Sequence, residues 1–403
     1  MTFEEAKRAI ESGFKPQPSD IEDVILLEAY NRVLGIDVVS PIDIPGFTTS
    51  TIQGYALCSV NTVTATEDNP VVCRVEGMVS AGEQPRFVLS GNKVAEVSAG
   101  AILPLGADAV IAARDGVCED DVLRVYGAVS RGENVHTQGS DIHRGSIVFR
   151  KGQVLGSAEI GVLAALGYTD IGVIRFPMVA VFSVGTEFGE LGKPLLPGKA
   201  FDAAAYSLCT AVIECGAKPV GLGVVAPDKE VIRQTFLSAV ASADMVIVCS
   251  SVDIVEVVDV LGESGVVVSG VAVKPGKQTG VTFIGGKPVF IMPSNPLVAL
   301  LMFQLFARSL VQRLGGRPIS GLKTVTAYAG SRMFSAKGSR TYVFVQLSFD
   351  ERCRLIAEPL GVGGDVLTLS IAKGVVEIPE NEQYIDVGRE VLVMLFCGSA
   401  GRG

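Results

Sequence analysis

Between Pro177 and Pro296 the chain repeats one pattern: a short, continuous, largely β-branched apolar run that stops at glycine, serine or proline. Met178-Val-Ala-Val-Phe-Ser-Val184 breaks at Gly185-Thr-Glu187, Met245-Val-Ile-Val-Cys249 at Ser250-Ser251, and Pro288-Val-Phe-Ile-Met292 at the turn Pro293-Ser-Asn-Pro296. A strand with one wet face would alternate polar and apolar residues. These runs do not, and helical stretches separate them, so they read as parallel strands buried on both faces. Open α/β sheets take their ligands at the carboxyl ends of the strands. Here those ends are polar or loop-forming, and Val273-Lys-Pro-Gly-Lys277 adds two lysines. The expected ligand edge therefore gathers Glu187, Ser250, Ser251, Lys274, Lys277 and the Ser294-Asn295-Pro296 turn. An α/β domain with ordinary strand-end loops has the same pattern at this level.

A chain of 403 residues exceeds one typical core, so several domains are expected. Its 48% hydrophobic and 19% charged residues describe a folded chain rather than a disordered one. A net charge of −9 argues against general nucleic-acid binding, which needs a basic surface, but leaves room for a local anion site. No apolar run reaches the roughly 18 residues that span a bilayer, and Met1-Thr-Phe-Glu-Glu-Ala-Lys7 is not a signal sequence, so a cytoplasmic protein without a membrane partner is expected. Eight scattered cysteines form no CxxC pair and fit reduced thiols. With only His136 and His143, a histidine-rich metal site is excluded.

Residues 2–12 read as a helix, with Thr2 as N-cap and Glu4 and Glu5 in the first turn; residues 21–33 read as a second, with Val24, Leu27, Ala29 and Val33 on its apolar face. From about 55 to 140 short strands alternate with glycine turns: Val71–Val79, Lys93–Val97, Ala107–Ala112 and Val122–Val129. Ser157 is placed as the cap of a helix ending at Leu166, with Gly167 as its stop. After Ser320, five strand-like segments between turns read as a small β-barrel.

Several strings, taken in order, resemble the molybdopterin molybdenumtransferase family, which is related to the C-terminal domain of gephyrin. They are Leu26-Leu-Glu-Ala-Tyr-Asn-Arg-Val-Leu34 with Asp37-Val-Val-Ser-Pro-Ile-Asp-Ile-Pro45, Gly156-Ser-Ala-Glu-Ile-Gly-Val-Leu-Ala-Ala-Leu-Gly167, Val273-Lys-Pro-Gly-Lys277 and Pro293-Ser-Asn-Pro296. The resemblance covers nearly the whole chain. It implies a mixed α/β, elongated four-domain homodimer. Its parts are a helical dimerisation region (1–45 plus 141–176), an inserted β-rich domain (46–140), a molybdopterin-binding α/β domain (177–318) and a C-terminal β-barrel (319–403). The implied reaction inserts molybdate, or tungstate, into adenylylated molybdopterin with loss of AMP and help from Mg2+. A molybdopterin adenylyltransferase is the implied partner.

Such chemistry needs fixed cations and close backbone donors for the anions, and carboxylates for a divalent metal. Lys274 and Lys277 flank Pro275-Gly276 on one tight loop, a good anion cradle; two solvated surface lysines are the alternative. Glu187, Asp202 and Asp228 match family acids. Glu187 and Asp202 are taken as metal ligands with Glu256, and Asp228 as a substrate contact. Asp202 and Asp228 fit equally as turn or cap residues.

The departures from the family are systematic. An acid of its Asp-Gly-Tyr-Ala loop is Gln53, a threonine of its Thr-Gly-Ala-Pro stretch is Ala99, and two arginines are His136 and Thr137. One acid of its Thr-Gly-Asp-Glu loop is Thr186, and a glycine-rich loop has become Cys249-Ser-Ser-Val-Asp-Ile-Val-Glu256. The Pro-Gly-Asn-Pro glycine is Ser294. Each new Cβ hinders backbone approach to a phosphate. Two readings stand: a molybdenumtransferase, with turnover depressed, and a non-catalytic molybdopterin-binding or scaffold protein.

Overall fold

The computed structural model describes residues 1–14, 20–252, 254, 258, 261, 265–335, 338–361 and 366–396. The chain forms two compact units, one of Met1–Val24, Glu28–Gly35 and Gly172–Gly403, the other of Ile25–Leu27 and Ile36–Ile171.

The larger unit opens with α1 (Phe3–Gly13), started by a reciprocal capping box. Glu5 N–H donates to Thr2 Oγ1 at 3.3 Å, and Thr2 N–H to Glu5 Oε2 at 2.9 Å. Phe3, Ala6 and Ile10 form its buried face, packed into the core of the α/β sheet described below. The sequence reading grouped this helix with residues 141–176; its apolar face instead belongs to the larger unit. The helix expected at 21–33 is absent. Its place is taken by β1 (Ile21–Ile25) and a 3-10 turn at Leu26–Ala29. Ile21, Val24 and Ile25 favour extended backbone, and Asn31 at φ 60° lies in a left-handed conformation no α-helix can pass through.

The second unit is built on a six-stranded sheet of β2 (Gly54–Leu57), β3 (Val71–Val79), β4 (Lys93–Val97), β5 (Ala109–Ala112), β6 (Gly116–Glu119) and β7 (Val122–Val125). The strand order is β5-β2-β4-β3-β7-β6. Leu57, Val94, Ile111, Leu123 and Val125 fill one face, and Ala56, Val79, Val97 and Val110 the other. The unit also holds α2 (Ser157–Ala165), whose N-cap is Gly156 and not Ser157; Glu159 reaches back to the Gly156 N–H at 2.9 Å. Gly167, at φ 83°, ends the helix, its N–H reaching Ala164 O while Tyr168 N–H reaches Leu163 O.

Returning to the larger unit, the three runs read as buried strands are strands, and five further strands accompany them. They are β8 (Asp170–Ile174), β9 (Met178–Val184), β10 (Lys218–Val225), β11 (Met245–Ser250), β12 (Val266–Ser269), β13 (Val273–Lys274), β14 (Gly280–Ile284) and β15 (Lys287–Pro293), with α3 (Ala203–Glu214) and α4 (Lys229–Ser242) between them. Six form one sheet, ordered β10-β9-β11-β15-β14-β12; the first four are parallel and β14 runs antiparallel to both neighbours. The period of two sorts their side chains. Val179, Val181, Met245, Ile247, Phe290 and Met292 face α1 and α3, while Ala180, Phe182, Val184, Val246, Val248 and Ile291 face α4. Both sets are apolar, which is why the runs show no alternation.

A helical stretch follows, α5 (Pro296–Met302) and α6 (Arg308–Leu314) joined by a π-helical turn at Phe303–Ala307. Its 19 residues are long and apolar enough to cross a membrane, a length the sequence reading did not find, yet 67% of the apolar window is buried and Leu297, Leu301, Phe303, Phe306 and Leu310 belong to the α/β core. The chain closes with β16 (Thr324–Ala329), β17 (Arg340–Phe349), β18 (Leu355–Pro359), β19 (Gly374–Ile378) and β20 (Glu390–Leu395). Their pairing runs β17-β18-β16-β20-β19 and returns from β19 to β17, a closed five-stranded barrel with Ala327, Val345, Ala357, Val376 and Val393 inside.

Phe182 and Phe236 are fully buried and meet edge to face, with centroids 5.1 Å apart. Phe182→Ala is expected to destabilise the α/β sheet by about 3–5 kcal/mol, read as a lowered denaturant midpoint at unchanged slope.

Candidate functional site

The register sets the geometry. Val225, Val184, Ser250 and Pro293 lie level across β10, β9, β11 and β15. β12 ends and β14 begins on the same edge, since Ser269 pairs with Gly280 and Gly280 with Ile291. The segments carrying Glu187, Ser251, Lys274 with Lys277, and Asn295 thus all leave the sheet along one edge.

A cavity of about 260 Å³ opens there, lined among others by Ser250, Ser251, Ser269, Gly270, Gln278 and Pro293. Ser250 is nearly buried and holds its own turn: Oγ donates to Val252 O at 2.6 Å and accepts Val252 N–H at 3.2 Å. Ser269, Gly270, Gln278 and Gly280 were not foreseen, although they flank the lysine loop; a β-hairpin pattern around Gly285-Gly286 would have shown that β14 starts at this edge. Glu187, Lys274, Gly276, Lys277, Ser294, Asn295 and Pro296 do not line this cavity.

The lysine loop is braced from several sides. Val271 N–H donates to Lys277 O at 3.0 Å, and Gly276 O accepts both the N–H (3.1 Å) and the hydroxyl (2.8 Å) of Thr279. Ala272 N–H donates to Met1 O at 2.7 Å, and Arg340 N–H to Ala272 O at 3.1 Å, where β13 pairs in parallel with β17. Arg340 itself is clamped by Glu4 (3.1 Å), Glu380 (3.2 Å) and Glu377 (3.5 Å) and lies over the Phe3 ring. Gly276 sits at φ 118°, and a Cβ there would fall 2.4 Å from Met302 Sδ. Lys274 and Lys277 are both exposed, two ammonium groups on a fixed loop. Such a loop can hold an anion without first paying the entropy of ordering itself.

Most other predicted residues have structural duties. Asp228 caps α4, accepting Glu230 and Val231 N–H at 3.0 Å each. Asn295 caps α5 through Leu297 and Val298 N–H at 3.1 and 3.2 Å, with Pro296 at the first helical position. Asp202 caps α3 through Ala205 N–H at 3.0 Å. Glu187 is half-buried, its carboxylate folded over Gly185, where a Cβ would collide with it. Exposed Thr186 offers its carbonyl to Lys199 Nζ. Glu256 lies outside the described residues. Among the described residues no three His, Cys, Asp or Glu gather as a metal site. Asp202 and Asp228 each accept helix N–H groups on one carboxylate oxygen only.

A second, larger cavity of about 650 Å³ lies between β10 and α3, and Asp202 is in its wall. Burial, then the Asp202 carboxylate and Cys209, hold the Cys249 thiol far above its ordinary range; burial and Asp202 also raise Cys209. Neither thiol is a nucleophile at neutral pH.

In the smaller unit the segments that depart from the family converge. Ser50 N–H donates to Ala101 O at 2.9 Å, Gly100 N–H to Ser50 O at 2.8 Å and Thr51 N–H to Asn134 O at 3.0 Å, while His136 pairs with Thr49. Gln53, Ala99, His136 and Thr137 are all exposed on these segments. The substitutions therefore cluster in space as well as in kind.

A parallel sheet with a braced lysine loop at its carboxyl edge, followed by a closed five-stranded barrel, defines a multidomain α/β protein. Three families of domains match in succession: "MoeA N-terminal region (domain I and II)" over residues 1–167, "Probable molybdopterin binding domain" over 180–313 and "MoeA C-terminal region (domain IV)" over 326–396. The crystal structure of a molybdopterin biosynthesis MoeA protein from Pyrococcus horikosii superposes with a TM-score of 0.90 at 36% identity, covering 99% of each chain. A molybdopterin molybdenumtransferase from Nostoc sp. is 28% identical over 93% of this chain and 88% of its own, and molybdopterin molybdenumtransferase 2 of Mycobacterium tuberculosis 29% identical over 92% and 94%. The chain belongs to the MoeA family of molybdopterin molybdenumtransferases.

Two substitutions test the scaffold of this edge. Gly276→Ala is expected to cost about 1–3 kcal/mol, because it strains the backbone and displaces Met302. Asn295→Ala should cost about 1 kcal/mol while Asn295→Asp, which keeps the cap, costs less; thermal melts of the three variants would rank them in that order.

Proposed function

We propose that this protein acts in molybdenum cofactor biosynthesis, inserting molybdate, or tungstate, into adenylylated molybdopterin with release of AMP. The observation that carries this reading is the braced Lys274-Pro-Gly-Lys277 loop at the carboxyl edge of a molybdopterin-type sheet. Molybdate is a dianion and the adenylylated substrate carries phosphate charge. Two ammonium groups carried on one braced loop offset that charge. Lys274 and Lys277 bind and orient the anions. The hydroxyls of Ser250, Ser251 and Ser294 and the backbone at Gly276 supply polar contacts, and Glu187 is the remaining acid beside them. The protein works as a homodimer and receives its substrate from a molybdopterin adenylyltransferase.

Turnover is slower than in family members that keep the acids at positions 53 and 186 and the arginines at 136 and 137. Losing a charge-assisted contact costs about 1.5–3 kcal/mol, and about 1.4 kcal/mol is tenfold in rate. Losses felt only as charge develops lower the rate more than the affinity. The second reading, a molybdopterin-binding or scaffold protein, is favoured by one observation: among the described residues no three His, Cys, Asp or Glu are assembled as a metal site.

Molybdate-driven AMP release from adenylylated molybdopterin is expected to be slow but measurable, with ligand affinity by calorimetry reduced about tenfold or more in Lys277→Ala. Gln53→Asp combined with Thr186→Asp should raise the rate. Binding with no AMP release at all would select the scaffold reading; no pterin binding would remove both. Light scattering at micromolar concentration should give the mass of a dimer, and a monomer would count against the pairing.

A further inference from the structure

The larger cavity, about 650 Å³, is absorbed by none of the roles above. Its floor is the edge strand β10, where Gly221 and Gly223 take the place of side chains. A Cβ built on Gly221 would meet no atom within 4 Å, so the space above it is open. Between the pairs Val181–Gly221 and Phe182–Gly223 the register slips by one residue, which leaves Leu222 over as the extra residue of a β-bulge. The opposite wall is α3, with Ala205, Tyr206 and Cys209, and the segment after Glu187 adds Phe188. The result is a slot with a glycine floor and an aromatic side chain, Tyr206, that is 61% exposed.

Only acids give this slot charge. Its lining contains Asp202 and Glu190 and no lysine, arginine or histidine, so it does not suit a phosphate or molybdate. Asp202 is 7% exposed. Its Oδ1 accepts the Ala205 N–H at 3.0 Å, a single bond for a carboxylate with room for about four. A buried carboxylate with unused acceptor capacity gains most from a ligand that brings N–H donors. Flat walls, apolar surroundings and a buried acceptor together describe an amino-substituted heteroaromatic ring.

We propose that the slot between β10 and α3 binds such a ring, laid on the glycine floor beside Tyr206, with its exocyclic amino group donating to Asp202. This rests on the substrate being an adenylylated pterin, which carries two rings of this chemistry, the pterin and the adenine. Phe188 of the slot wall follows Glu187 directly in the chain.

The test uses the full chain and two probes that separate the sources: 6-hydroxymethylpterin, followed by its fluorescence, and AMP, followed by calorimetry. Gly221→Leu puts a side chain into the slot from a position whose Cβ meets no atom within 4 Å. Asp202→Asn keeps the helix cap but weakens the acceptor. Each is expected to lower affinity for one probe at least about tenfold. Loss for the pterin alone assigns the slot to the pterin, and loss for AMP alone to the adenine; either supports the proposal. Unchanged affinity for both probes in both variants, or no binding of either probe to the unaltered protein, overturns it. Should Gly221→Leu fail to fold by circular dichroism, Asp202→Asn and Tyr206→Ala decide the matter. The AMP-release assay reads the function independently, so its failure with slot binding intact would remove the reaction and leave the ring site.

Discussion

Everything at the candidate site depends on the register of four parallel strands. Because Val225, Val184, Ser250 and Pro293 are level, the loops that follow them emerge together, and residues more than 100 positions apart share one edge. That register is fixed by burial on both faces. A slip of one residue would exchange the set facing α4 with the set facing α1 and α3, whose partners differ in size and shape. The alignment of the strand ends is thus maintained by apolar packing on both faces of the sheet.

This explains why the fold was legible in the sequence. Unalternating runs ended by Gly185, Ser250 and Pro293 report double-sided burial directly, and the barrel strands, with turns between them, fall where their patterns place them. The helix expected at 21–33 failed because the spacing of Val24, Leu27 and Ala29 imitates a helical face, while Asn31 breaks it through a backbone angle that sequence does not display. Ser157 failed as a cap for a subtler reason. The helix starts one residue earlier than a serine cap requires, with Gly156 as N-cap, and Glu159 supplies only the half of a capping box that reaches back to the Gly156 N–H.

The site was less legible because acids serve two ends. Asp202, Asp228 and Asn295 stand where family matching puts ligands, and each is also an effective N-cap. The alternative of a cap was visible from sequence; which role a residue fills depends on where the helix starts, to within one residue. The slot was invisible for the opposite reason. Gly221 and Gly223 look like breaks in a strand, and only the three-dimensional pairing reveals them as a floor. The segments carrying Gln53, Ala99, His136 and Thr137, scattered along the chain, are likewise joined only by backbone hydrogen bonds.

The bracing of the lysine loop has a consequence for biogenesis. Its outer hydrogen bonds come from Met1 and Arg340, and Arg340 is fastened in turn to Glu4 and Glu380. During synthesis the loop leaves the ribosome long before β17 does, and N-terminal parts fold first. Until the barrel has closed, the two lysines sit on an incompletely tethered segment. A nascent or truncated chain therefore cannot hold the lysine loop in its final form, because that form needs the segments around residues 1 and 340 to have met.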